Sequence, residues 1–388
     1  MFRNAKDRFS RYVNHAAIAG CVAGAALLCQ PAFSAAGRPI ISGGTARTAA
    51  GQLFRGCHAH IAQSATEEIR SFFTDPANVI KLRDQAHMNV IRIAVLTQGW
   101  GGFTDINQSL PYVDKIVANC EAAGIYAIIN YHGPWVYDGV SNMDIRNFWD
   151  VYAPRYKDKP FVMYGLMNET EQGVPSGTAS DWPTNQNVDI YKNHVRKWAP
   201  DNLVMGLLEP VNIEANWGPF MRDVVGPACG IDWSAGKDVF SFHVYSGTAA
   251  NILATRNAGI PVVCSEFSFS GEGWTQLQLG GYSMPSEWCE RNGVSWMVWQ
   301  QWQSREPDQL KSVMNYLIPD ATSKKYAWWS TVAAAPMVHD GVRAPEFDFV
   351  SHTAGMIQAN GRVVQKGERG AYRLFVVPES LRKAQRGL

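Results

Sequence analysis

Eight continuous apolar runs, each five to eight residues long and separated by longer segments with helical spacing, restrict this chain to very few folds. The runs are Leu53–Cys57, Val90–Val95, Ile125–Tyr131, Phe161–Met167, Leu203–Leu208, Val239–Val244, Ile260–Phe267 and Val294–Trp299. A strand with one wet face alternates apolar and polar residues. These runs do not alternate, so both faces must be covered, as in a parallel sheet flanked by helices. Leu110 to Ala123 carries apolar residues at helical spacing and stops at Gly124; Gln186 to Trp198 ends just before Pro200. Eight strands with intervening helices predict an α/β chain folded as a (β/α)8 TIM barrel, which takes about 250 residues. An open doubly wound sheet is the competitor, but no glycine-rich phosphate loop follows the first run.

The barrel is assigned to residues 53–318, with Asp308–Leu317 as its eighth helix. Residues 36–52, rich in Gly, Ala and Ser, read as a flexible lead-in. Residues 319–388 read as a C-terminal extension packed on the barrel, and the alternating run Tyr372–Val377 points to a strand pair near its end. Residues 1–35 read as a secretory signal peptide. Arg3, Lys6, Arg8 and Arg11 precede the apolar run Ala16–Cys29, and small residues around Ala32–Ala36 suit cleavage. A bacterial protein, secreted or periplasmic, is expected. Cys57, Cys120, Cys229, Cys264 and Cys289 remain after removal of that segment; an odd, irregular set is no disulfide framework and fits buried small side chains. A formal net charge of +1 gives no electrostatic reason to expect nucleic acid or a membrane as partner. A monomer is expected.

In such barrels chemistry sits at the C-terminal ends of the strands. Two runs end there on an acid: Leu166-Met167-Asn168-Glu169 and Val263-Cys264-Ser265-Glu266. Two carboxyls facing one cleft can protonate a leaving oxygen and attack, or activate water, at a glycosidic bond. Other run ends add His58 and His60, Arg92, His132, His243 and Tyr245, and Trp299. Burying so many polar groups at one end of the strands costs free energy unless they are paired or used. Glu209, at the end of the fifth run, is a further acid, read as a supporting residue or a surface pair. Trp100, Trp135, Tyr137, Trp182, Trp217 and Trp274 sit beside Gly, Pro or Asn in loops, where flat rings suit the CH-rich faces of sugars.

Taken in chain order, Asn89-Val90-Ile91-Arg92, Tyr131-His132, Asn168-Glu169, His243-Val244-Tyr245, Cys264-Ser265-Glu266-Phe267 and Trp299 resemble glycoside hydrolase family 5, the cellulase-type family of a large clan of retaining barrels. Gly56-Cys57-His58-Ala59-His60 is similar to the first-strand motif of that family's bacterial endoglucanases, with a His where His60 stands. The resemblance covers Leu53 to Trp302. It departs at Thr170, where a Pro usually follows the Asn-Glu pair; that alters the loop and not the acid. The resemblance implies a secreted hydrolase cutting internal β-1,4-glucosidic bonds by double displacement. β-Mannan, other β-glycans and transfer to a second sugar stay open. It also implies roles. Glu169 would be the acid/base, with a raised pKa, and Glu266 the ionised nucleophile. Arg92 and Tyr245 would donate to Glu266, and Asn168 would bond the sugar 2-hydroxyl. His132 and His243 would hold sugar hydroxyls or orient the acid. His60 would bind substrate and Trp299 would be a stacking floor. No cofactor or metal is implied, and the partner is a β-linked polysaccharide or oligosaccharide.

Two other readings compete. His58-x-His60 imitates the metal-binding start of amidohydrolase barrels. That chemistry needs further ligands on later strands, yet the eighth run ends in Trp and Gln without an Asp, and no Lys ends the fourth. A barrel that binds glycan without cutting it would keep the same fold, although both acids are present.

Overall fold

A computed structural model of the chain describes residues 36–63, 67–84, 88–97, 102–133, 143–170, 184–210, 215–245, 248–267 and 285–299. The expected signal peptide, the helix expected over Asp308–Leu317, the C-terminal extension and the loop residues Trp100, Trp135, Tyr137, Trp182 and Trp274 lie outside the described residues.

The described chain opens with a hairpin, β1 (Ile40–Ser42) and β2 (Thr45–Arg47), paired antiparallel. The expectation of a flexible lead-in is corrected here. Gly43 and Gly44 have φ of 61° and 72°, the two positive values that a tight two-residue hairpin turn requires. Thr45, Ala46 and Arg47 are buried. Thr45 Oγ1 donates to Val262 O at 2.7 Å and accepts the Ser295 N–H at 3.1 Å, and Ser295 Oγ donates to Ala46 O. Small and glycine-rich composition here marks a turn and close packing, not freedom.

Eight parallel strands follow: β3 (Arg55–Ile61), β4 (Val90–Leu96), β5 (Tyr126–His132), β6 (Val162–Gly165), β7 (Val204–Met205), β8 (Phe240–His243), β9 (Val262–Glu266) and β10 (Ser295–Val298). Neighbours in sequence are neighbours in the sheet, and β10 pairs back onto β3. Between β7 and β8 the ladder narrows to one bridge: the Val204 N–H donates to Lys237 O at 2.9 Å and the Val239 N–H to Val204 O at 3.0 Å. The result is a nearly closed (β/α)8 barrel. Every residue of β4, β5, β6, β8, β9 and β10 is buried, as the continuous apolar runs require.

Helices cover the outside. Ile106–Ala123 starts four residues before the periodicity predicts, because Asp105 caps it by accepting the Asn107 N–H, and it ends at Gly124 with φ 68°. Ile145–Tyr156 is capped the same way by Asp144. The helix expected from Gln186 begins at Thr184 and continues through Arg196 with wider, π-type turns.

Strand ends differ from expectation in two places that matter for the site. The first strand runs on to Ile61, so His58 and His60 lie within it and not beyond it. The fifth shrinks to two residues, because Gly206 turns the chain at φ 74°; a Cβ there would meet the backbone of Leu166 and Met167 at 3.0–3.2 Å. The five cysteines of the barrel are free and buried, as expected of small core side chains.

Candidate active site

Arg92, in the middle of β4, is fully buried and organises the C-terminal end of the barrel. Its Nη1 donates to Glu266 Oε2 at 3.0 Å. Its Nη2 donates to Asn168 Oδ1 at 3.0 Å and to Glu209 Oε2 at 2.8 Å. One guanidinium thus ties together the chain after β6, the chain after β7 and the end of β9. Burying that cation is tolerable because carboxylates meet it on both sides.

Glu169 is positioned by its backbone. The Leu166 N–H bonds Met205 O at 2.7 Å and the Asn168 N–H bonds Tyr131 O at 2.9 Å, so the segment stays sewn between its neighbours after β6 ends. Glu169 then adopts φ 46°, the sole non-glycine positive φ among the described residues. A left-handed glutamate costs about 1–3 kcal/mol unless its surroundings impose it. This strained turn brings its carboxylate to His243, with Oε1 3.1 Å from Nδ1. His243 owes its own aim to an irregularity: the β8–β9 register shifts between Phe242 and His243, which sets His243 opposite Glu266. Facing atoms of Glu169, His243 and Glu266 all lie within 4.8 Å of one another. The two acids therefore face each other at the C-terminal end of the barrel.

Glu266 ends β9 and is 4% exposed. Tyr245 Oη donates to its Oε1 at 2.7 Å, while Arg92 holds its Oε2. Burial pushes its carboxyl above the ordinary carboxylate range. His243 and Arg92 pull it back, and Glu169 pushes it up further. The acid expected to be the ionised nucleophile is thus itself displaced upward. Burial and the same carboxylate raise the Tyr245 phenol, which stays a donor. Burial disfavours a charged His243, yet Glu266, Glu209 and the bond to Glu169 outweigh it and hold its pKa well above the usual value. Three carboxylates, Glu169, Glu209 and Glu266, then face two cations, Arg92 and His243. The cluster is one negative charge in excess, a balance that favours one retained proton.

Glu209 is not a surface pair. It is 1% exposed, with Ser265 Oγ donating to its Oε1 at 2.6 Å and its own N–H bonding Thr170 Oγ1 at 2.9 Å. Thr170, the residue that departs from the family pattern, is what fastens this loop. In the sequence Thr170 shows only as a departure from the family pattern, and Ser265 does not stand out. The signal they share is adjacency to Glu169 and Glu266.

The remaining candidates form an aromatic wall. His132 stacks on Trp299, centroids 4.9 Å apart and planes 5° apart. His58 meets the Trp299 ring edge-on at 4.8 Å, and His60 lies tilted against it at 5.4 Å. Trp299 is 8% exposed, and one of its faces carries the His132 imidazole. His58 Nε2 donates to Ser265 O at 2.8 Å, a structural bond that fixes its tautomer. Asn130 Oδ1 holds His132 Nδ1 at 3.1 Å, and Gly165 leaves room for that asparagine, since a Cβ would come 2.9 Å from its Nδ2. Burial lowers the pKa of His58 and His132, with Arg92 adding to it, and brings His60 down to about 4. These three imidazoles are neutral near pH 7, and His58 and His132 each spend their one N–H inside the protein, on Ser265 O and Asn130 Oδ1. Asn168 Nδ2 and both ring nitrogens of His60 are buried without a hydrogen-bond partner. Buried polar groups of this kind call for a partner that the described residues do not supply.

The Glu169–His243–Glu266 spacing would suit a cation on distance alone. The donor set argues otherwise, because Arg92 and a charged His243 already place two positive groups on those carboxylates. His58 and His60 offer no metal pair either, as His58 is committed to a carbonyl.

The family model for cellulase (glycosyl hydrolase family 5) matches residues 54–305. Among characterised proteins, endoglucanase MaCel5A of Microbulbifer sp. (strain ALW1) is 22% identical over 193 residues, which is 48% of this chain and 36% of that protein. The match thus spans about a third of that relative's length. Among solved structures, cellulase Cel5C_n superimposes with a TM-score of 0.54 at 17% identity, covering 82% of this chain and 97% of its own. The catalytic domain of Thermobifida fusca endoglucanase Cel5A gives 0.52 at 16%, covering 76% and 96%. At such identities the likeness speaks to the fold.

Proposed function

The chain belongs to glycosyl hydrolase family 5, the cellulase family, and from that premise we propose that it is a retaining glycoside hydrolase cutting internal β-1,4-glucosidic bonds of a β-glucan by double displacement. The observation that carries this reading is the approach of Glu169 and Glu266, whose facing atoms lie within 4.8 Å. Retaining enzymes hold their two carboxyls about 5–5.5 Å apart, whereas inverting ones leave room for a water at about 6.5–9.5 Å.

Glu266 attacks the anomeric carbon from below while Glu169 protonates the departing oxygen, giving an α-linked glycosyl ester. Glu169, now a carboxylate, takes a proton from water, which displaces Glu266 and restores the β configuration. Arg92 and Tyr245 hold Glu266 with one oxygen each, so the attacking carboxylate is oriented and cannot swing. His243 Nδ1 holds the Glu169 carboxyl at 3.1 Å and orients it for the proton transfer. The unpartnered Asn168 Nδ2 is the donor for the sugar 2-hydroxyl, and neutral His60, with both ring nitrogens unpartnered, serves a hydroxyl further along. The β-glucan choice leans on the Gly56–His60 motif and on the endoglucanase name of the characterised relative. The basic, then apolar start of the sequence supports action outside the cytoplasm, and no helix among the described residues is long and apolar enough to cross a membrane.

The test is reducing-end release from soluble β-1,4-glucan, β-mannan, xyloglucan and β-1,3-glucan, with the first-formed anomer followed by NMR. Cleavage of β-1,4-glucan with the β-anomer formed first is expected. Faster cleavage of mannan would move the substrate, and an α-anomer formed first would overturn the mechanism.

A further inference from the structure

A third carboxylate, Glu209, stands behind the acid pair and no step above uses it. The described part of the loop that carries it is held at four points. Gly206 makes the turn, Asn187 Nδ2 bonds Leu207 O at 3.1 Å, the Glu209 N–H bonds Thr170 Oγ1, and the His243 N–H bonds Pro210 O at 2.9 Å. The carboxylate is 1% exposed, and both of its oxygens are engaged within the barrel: Oε1 by Ser265, and Oε2 by Arg92 at 2.8 Å with His243 Nε2 3.3 Å away. It cannot reach a sugar.

Its effect is on the two cations. An arginine facing a single carboxylate grips it with both arms of its fork. Here Glu209 and Asn168 take Nη2, so Glu266 receives Nη1 alone and keeps Oε1 for Tyr245. His243 is likewise shared: Glu169 at Nδ1, Glu209 and Glu266 at 3.3 Å and 3.7 Å from Nε2. We propose that Glu209 is a positioning residue that divides the charge of Arg92 and His243, and so fixes the pH range in which Glu266 is ionised while Glu169 keeps its proton. The proposal rests on the retaining reading above.

The groups facing Glu266 are Arg92 from β4, His58 from β3 at 3.9 Å, His243 and Tyr245 from β8 and beyond, and Glu169 after β6. Those facing Glu209 are Arg92, His243 and the neutral Ser265. Glu209 remains ionised: burial opposes this, but Arg92, then His243, hold its carboxyl far below the usual range. Removing that fixed negative charge returns the full charge of Arg92 to Glu266 and removes a repulsive anion from the pair. Both limbs of the pH–rate profile then move down. At an effective dielectric near 20, a unit charge several ångströms away is worth about one pH unit or more.

The experiment compares kcat/KM against pH for the wild type, Glu209→Gln and Glu209→Asp, with circular dichroism to establish folding. For Glu209→Gln the acid and alkaline limbs should both shift about one unit lower, so that activity on the alkaline flank falls about tenfold relative to the optimum. The Glu209→Asp variant, which keeps the charge, should return most of the shift. A Glu209→Gln profile that superimposes on the wild type after scaling, or a Glu209→Asp profile displaced as far as that of Glu209→Gln, overturns the proposal. Infrared titration of 13C-glutamate-labelled wild type and Glu266→Gln gives a second arm, which needs neither turnover nor a folded Glu209→Gln variant. It should show one carboxyl that stays ionised to the lowest pH at which the protein is folded, and a second titrating above the ordinary range and absent from Glu266→Gln. Failure to see the first overturns the proposal even if the enzyme is active. A wild type that cleaves no β-glycan overturns the functional reading and leaves the titration to judge Glu209.

Discussion

Glu266 has to be ionised to attack, yet its burial and the nearby Glu169 make ionisation harder. The sign of the consequence follows directly. A nucleophile whose pKa is raised loses its charge at a higher pH than an ordinary carboxylate would, so the acid limb of kcat/KM should lie above about 4.5. A limb at or below that value would contradict the geometry of the pair. Replacing Glu266 with Ala should abolish turnover, and azide, small enough to enter the space left, should restore part of it by giving an inverted α-glycosyl azide. An unaffected rate in that variant would remove Glu266 from the mechanism. At this scale the sequence is informative about position and not about environment. A glutamate closing an apolar strand is visible as such. How Glu266 titrates depends on burial and Glu169, which raise it, and on His243, Arg92 and Tyr245, which lower it from strands distant in sequence.

Elements position these side chains through small local devices. The register shift in β8 aims His243, the left-handed Glu169 aims its own carboxylate, and Gly206 aims Glu209. None announces itself in the sequence except Gly206, which a run of apolar neighbours disguises as mid-strand. The first strand reads as ending too early for the opposite reason. His58 and His60 look like polar stops, but Trp299 and the Ser265 carbonyl give them partners, so the strand continues through them. The hairpin at residues 40–47 hides in its composition, because glycine and small residues serve turns and tight packing as readily as loose chain. Its hydroxyl bonds make a stability prediction. Thr45→Val leaves the Ser295 N–H and the Val262 carbonyl buried without their partner, which should cost about 1–3 kcal/mol in denaturant unfolding while kcat on soluble substrate is unchanged. No measurable loss would mean that the hairpin is not part of the cooperative barrel.

For the molecule as a whole, the barrel is legible in the sequence because strands covered on both faces must be apolar throughout, a pattern few folds share. The gathering of polar groups at one rim is legible for the same reason, since they interrupt otherwise apolar runs. Charge balance is not, because it is a property of the assembled barrel alone. It also links stability to pH. His243 has a folded pKa raised above its unfolded value of about 6.5. Its contribution is therefore fully present below pH 6.5 or so and is lost as the pH rises through the raised value. The Tm should fall over that alkaline window in the wild type, and the fall should be shallower in His243→Asn. A flat Tm across that range in the wild type would mean that His243 is not charged in the folded protein.

The central claim is a covalent intermediate on one acid of a closely spaced pair. It is tested most directly by trapping the enzyme with a 2-deoxy-2-fluoro cellobioside bearing a good leaving group, followed by mass spectrometry of the intact protein and of its peptic peptides. The account predicts one added glycosyl unit, located on the peptide that contains Glu266 and absent from Glu266→Gln. A label on any other residue, or an enzyme that turns over natural substrate yet never accumulates a label, would contradict it.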